Sequence, residues 1–98
     1  MQRARDAPRT AARATYLQRA HADYLRVLGE DHPSTLTSRN NLAGAYESAG
    51  DLGRAIPLYE QNLTDTVRVL GQEHPITGTV RGNLAAAVAE CEGGAGPS

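Results

Sequence analysis

The chain has 98 residues, of which 40% are hydrophobic, 21% charged and 4% aromatic, with a formal net charge of −1; this accommodates one small domain and lies far from a disordered composition. All four aromatics are Tyr, and Ala and Leu dominate the apolar residues, which favours closely approaching helices and argues against an all-β core. The ten basic residues are all Arg, scattered among eleven acids, so no clustered positive field is available and neither nucleic acid nor a membrane surface is an expected partner.

Residues 1–9 are expected to fray, and a helical array is expected over residues 10–92. The first helix covers residues of about 10 to 28, where Ala14, Leu17, His21, Tyr24 and Leu28 form one apolar-rich stripe at steps of three and four. Gly29 stops it. After the loop Gly29-Glu30-Asp31-His32-Pro33, Pro33 suits the first turn of a second helix, where its missing amide hydrogen costs little. That helix should reach Ala49, with Leu42, Ala43, Tyr46 and Ala49 inward and small Ala43, Gly44 and Ala45 admitting a close neighbour.

Asp51 can cap a third helix over Leu52 to Leu70, whose inward stripe is Ala55, Ile56, Tyr59, Leu63, Val67 and Leu70. Pro57 lies inside it and cannot donate to the Gly53 carbonyl, so a bend is expected there; the alternative is a helix that starts only at Pro57. Gly71 provides the stop, in the left-handed conformation that other residues resist. A second His-Pro loop leads to a fourth helix from Pro75 to about Cys91, with Val80, Leu84, Val88 and Cys91 inward. The Gly-rich residues 93–98 read as a flexible tail.

The most informative feature is internal similarity. The stretch Arg26–Ala49 recurs as Arg68–Cys91 at an offset of 42 residues without a gap, with 13 of 24 positions identical. Composition alone would give about one or two matches, so the chain is a repeat protein.

The run Asn40-Asn41-Leu42-Ala43-x-x-Tyr46, then Gly50-Asp51-Leu52, then Ala55-x-x-Leu58-Tyr59, resembles a tetratricopeptide repeat. The 42-residue spacing and the repeated Leu-Gly-x-x-His-Pro loop resemble the kinesin-light-chain-type subfamily, whose second helix is longer than in the form of about 34 residues. The resemblance covers about residues 12 to 91 and implies an all-α solenoid fragment of four antiparallel helices, one full repeat flanked by two halves. It implies that Leu42, Ala43 and Tyr46 pack the first helix of a repeat, that Gly50 makes its turn, and that Ala55 and Tyr59 pack the second helix. Val88 replaces the Tyr in the second copy, and Asn62 stands where the family usually has Ala, so packing against the next helix is expected to be imperfect there.

The chemistry-bearing residues do not assemble an enzyme. His32 and His74 lie one repeat apart and read as loop residues that fix the interhelix turn; His21 is a lone helical His. Cys91 is expected to be a small buried or interface hydrophobe, and as the only Cys it cannot form an internal disulfide, which fits a reducing cytoplasm. No Cys/His cluster has metal-ligand spacing, and no Gly-rich segment ends in the Lys-Ser/Thr of a phosphate loop. No cofactor or metal is therefore expected.

What the resemblance implies is binding. In this family the first helices of successive repeats line a concave groove that holds extended peptides, and Asn suits the task because its amide both donates and accepts. The matching candidates are Thr37, Arg39, Asn40, Asn41, Glu47, Thr79, Arg81 and Asn83. The competing reading is that the Asn residues bond between adjacent helices, and that Arg39 and Arg81 pair with Glu47, Asp51 or Glu90. The function expected is a non-catalytic protein-interaction scaffold for a protein or extended peptide. The alternative is an oligomerisation or sensor module of a larger regulator, such as a bacterial nucleotide-binding switch protein, with self-association through the end helices. The phase of the repeat leaves both end helices without their usual partners, so the chain is expected to be a section of a longer array.

Overall fold

A computed structural model describes the backbone of residues 2–95 and the side-chain surroundings of residues 12–93. Met1 and residues 96–98, the outermost part of the expected tail, lie outside the described residues. Four α-helices follow one another: α1 Gln2–Leu28, α2 Pro33–Ser48, α3 Leu52–Leu70 and α4 Pro75–Ala95. Each packs on the next, and α2 also meets α4, so the architecture is an all-α helical-repeat fragment.

The interior bounds agree with the sequence pattern to within a residue, whereas the outer ends differ. Helix α1 begins at Gln2 rather than near residue 10, and α4 continues to Ala95 beyond Cys91. Apolar periodicity is silent about both stretches, and local propensity does not account for them: Gln, Arg and Ala favour a helix in the first, but Pro8 there and Gly93 and Gly94 in the second disfavour one.

The punctuation of the helices is repeated. His32 precedes Pro33 and its Nδ1 accepts from the Ser34 N–H at 3.0 Å; His74 Nδ1 accepts from the Ile76 N–H at 3.1 Å. Each imidazole thus satisfies a first-turn amide as a Ser or Asp cap would. Gly29 and Gly71 end α1 and α3 with φ of +87° and +94°, a backbone that a Cβ would strain. Asp51 caps α3 by accepting from the Arg54 N–H at 3.2 Å, and α3 runs unbroken from Leu52 through Pro57, so the alternative start at Pro57 does not occur.

One core cluster is Ala43, Ala55, Tyr59 and Ala87, with Tyr46, Leu52, Ile56, Leu58 and Leu84 packed around it, and Ala14, Leu36, Leu42, Ala45 and Val80 are buried as well. Burying the Tyr59 ring among alanines lets three helices approach closely, and its hydroxyl is not stranded because it donates to Glu47 Oε1 at 2.9 Å. Burial and that carboxylate raise the Tyr59 pKa above its ordinary value, so the phenol stays protonated.

Opposite senses of α2 and α3 follow from their contacts: Arg68 near the end of α3 reaches Asp31 before α2, and Tyr59 near the start of α3 reaches Glu47 near the end of α2. Asn62 is fully buried and donates to the Leu36 carbonyl at 3.0 Å, while its Oδ1 finds no protein partner among the described residues.

Four inward assignments need correction. Ala49 is exposed because it is the cap of α2 and lies beyond its last turn, and Cys91, its counterpart in the next repeat, is exposed as well. Tyr24 and Leu28, expected in the inward stripe of α1, are 42% and 40% exposed, because no helix covers that side.

Candidate functional site

Helices α2 and α4 are the first helices of successive repeats, and a groove lies between them. One depression of about 310 Å³ is lined by Tyr24, Pro33, Ser34, Thr37, Ser38, Asn41 and Ile76. A second, of about 260 Å³, is lined by Thr37, Asn40, Asn41, Pro75, Ile76 and Thr79. They share Thr37, Asn41 and Ile76, which makes one continuous trough.

Local sequence explains the position of this lining. Thr37 and Asn41 are one helical turn apart on α2, as are Pro75 and Thr79 on α4, so each set projects along one face. Proline at the first turn of each helix brings a ring, rather than an amide hydrogen, to the mouth of the trough. The outcome is an apolar floor of Ile76 and proline rings bordered by amide and hydroxyl groups.

The eight candidate residues separate into different environments. Thr37 and Asn41 are exposed in the trough, and among the described residues neither side chain makes an internal hydrogen bond. Thr79 is exposed there too, with its hydroxyl donating to the Pro75 carbonyl at 3.1 Å. Asn40 and Asn83 are half-buried, and Asn83 Nδ2 donates to Asn40 Oδ1 at 3.2 Å, which ties α4 to α2.

Arg39, Glu47 and Arg81 do not line the trough. Arg39 is only 4% exposed and its Nη1 lies 2.6 Å from Asp65 Oδ2, between α2 and α3. The pairings anticipated for it, with Glu47 or Asp51, are replaced by an acid that periodicity could not single out. Glu47 accepts from Tyr59, and its closeness to Glu90 of α4 pushes the Glu90 carboxyl above the ordinary carboxylate range. Arg81 is exposed on α4.

Sequence reasoning missed Ile76, Tyr24, Pro33, Ser34, Ser38 and Pro75 as lining residues. A signal was available for Pro33, Ser34, Pro75 and Ile76, which follow the His-Pro loops and continue, toward the helix start, the faces that carry Thr37 and Thr79, whereas Tyr24 comes from α1 and its approach depends on how α1 packs on α2.

At the side of the trough, α1 contributes a polar seam. Ser38 Oγ donates to the Thr35 carbonyl at 2.9 Å, so its oxygen accepts from His21 Nδ1 at 2.7 Å and the neutral ring carries its proton on Nδ1. Burial first, and the Arg39 charge second, lower the His21 pKa.

The trough thus presents an apolar surface edged by hydroxyl and amide groups. Among the described residues, no group of three or more His, Cys, Asp or Glu could hold a metal ion, and no helix is long and apolar enough to cross a membrane.

Comparison with protein families gives a match to the family model described as tetratricopeptide repeat over residues 14–64. Comparisons with curated proteins and with solved structures gave no match.

Proposed function

The chain belongs to the tetratricopeptide repeat family, and on that premise we propose that it is a non-catalytic scaffold that holds an extended peptide or protein segment in the trough between α2 and α4. Repeats of this family generally mediate protein–protein interaction, and the family is generally non-catalytic. The observation that carries the proposal is Asn41: an exposed amide, free of internal hydrogen bonds among the described residues, beside the apolar Ile76 floor. One primary amide offers a donor and an acceptor to a peptide backbone, while the floor takes an apolar side chain.

Within the family, the 42-residue period and the two Leu-Gly-x-x-His-Pro loops support placement with the kinesin-light-chain-type repeats. The setting proposed with this reading is the cytoplasm, where the lone exposed thiol of Cys91 stays reduced.

The test begins with selection of extended peptides from a displayed random library against the folded chain. Selected peptides should bind at least about tenfold more weakly to Asn41→Ala, as expected when one amide that contacts a peptide backbone is removed. The variant's thermal stability should be unchanged, because Asn41 packs nothing. Undiminished binding to a folded Asn41→Ala protein would refute the assignment.

A further inference from the structure

Among the described residues, no helix covers the outer faces of α1 and α4. Helix α1 packs on α2 alone among the described residues, and its Tyr16 and Val27 are 69% and 66% exposed, whereas the residues one repeat later, Leu58 and Val69, are half-buried. On α4, Ala85 is exposed, whereas Ala43, one repeat earlier, is fully buried. The molecule already contains the contact that these faces lack: α2 packing on α3, with α2 equivalent to α4 and α3 equivalent to α1 at the 42-residue offset.

Transferring that interface by one repeat preserves both of its charge pairs. Arg39–Asp65, at 2.6 Å, becomes Arg81 facing Asp23, and Arg68–Asp31, at 2.9 Å, becomes Arg26 facing Glu73. All four transferred residues are exposed. Even the bracing is reproduced, since Arg68 holds Asp65 at 3.3 Å within α3 and Arg26 holds Asp23 at 3.2 Å within α1.

The other side-chain hydrogen bonds across this interface change together on both sides. The Tyr59–Glu47 hydrogen bond becomes Leu17 facing Ala89, and Asn62 on the Leu36 carbonyl becomes Ala20 facing Gly78. No buried side-chain donor or acceptor is left without its mate at these positions, which is what an interface requires. The likeness weakens toward the first turns, where Arg13 stands at the position of buried Ala55.

We infer that the chain associates head to tail with a second copy of itself, α1 of one copy packing on α4 of the next in the register of α3 on α2, with Asp23 against Arg81 and Arg26 against Glu73. The contact is heterologous, so each added copy leaves an open face and growth does not stop at a dimer unless a ring closes. It uses different residues from the trough, and peptide binding and association can therefore succeed or fail separately.

Sedimentation velocity of the full chain over a wide concentration range tests this. The weight-average sedimentation coefficient should rise with concentration. Asp23→Arg and Arg81→Asp, each alone, should weaken association about tenfold or more, because like charges then meet. Mixing the two single variants, or combining both changes in one chain, should restore it, because opposite charges face each other again at every junction. Circular dichroism checks the fold, and Asp23→Asn with Arg81→Gln serve if a reversal unfolds the chain. A strictly monomeric wild type, association that survives both single reversals, or single variants that mixing does not rescue would each overturn the inference.

Discussion

At the scale of single residues, the His-Pro loops and the buried Arg39 are the most consequential. His32 and His74 each occupy a capping position with Nδ1 on a first-turn amide. Losing such a cap costs about 1 kcal/mol, so His32→Ala and His74→Ala should each lower the urea-unfolding free energy by that amount. His32→Asp, which keeps an acceptor there, should recover most of it. Arg39 is different in kind, because its charge is buried against Asp65. Removing one partner of a buried pair costs about 3–5 kcal/mol by stranding the other, whereas an exposed pair such as Asp23–Arg26 contributes well under about 1 kcal/mol. Asp65→Ala should therefore destabilise strongly in denaturant titration, and the double variant Arg39→Met/Asp65→Leu should be far more stable than either single loss.

At the scale of helices, the two copies solve the same packing problem with different chemistry. Where α1 and α2 place His21 and Ser38, α3 and α4 place Leu63 and Val80. The His21 pKa is lowered in the folded state, so the unfolded chain takes up that proton at a higher pH. Stability is then complete above the ordinary His pKa of about 6.5 and declines as the pH falls below it, until the folded imidazole is protonated too. Melting temperatures between pH 7.5 and pH 5.5 should show this slope, and His21→Leu/Ser38→Val, the solution of the other copy, should flatten it. By contrast, the hydrogen bond from Thr35 to the Tyr24 carbonyl is kept as Thr77 to the Thr66 carbonyl, both at 3.3 Å. Such contacts join helices of adjacent repeats, and for that reason they survive the substitutions around them.

Helix number, the interior bounds and the repeat were legible in the sequence because apolar spacing, Pro and Gly report on local geometry. Partners between helices were not. Nothing in the spacing distinguishes Asp65 from Glu47 as the mate of Arg39, since that choice depends on how two helices cross. The outward turn of Ala49 and Cys91 escaped for a related reason: a helical stripe continues past the point at which its neighbour ends. Of the groove candidates, the periodicity that placed Thr37, Asn41 and Thr79 on first helices corresponds to one trough, while Asn40 and Asn83 hold two helices to each other.

At the scale of the whole molecule, the trough and the outer faces of α1 and α4 are two separate kinds of surface among the described residues. The trough belongs to a single copy, whereas the ends acquire meaning only when another helix of the same register meets them. Near-neutral net charge leaves recognition to short-range contacts in both cases. The central claim, that the trough between α2 and α4 is the binding surface, is tested most directly by a ¹⁵N-edited NMR titration of the chain with a selected extended peptide. The predicted result is amide shifts concentrated at Thr37, Asn41, Ile76 and Thr79, with Ala85 and Ala89 unmoved; shifts gathered on the outer faces of α1 or α4, with the trough residues silent, would contradict it.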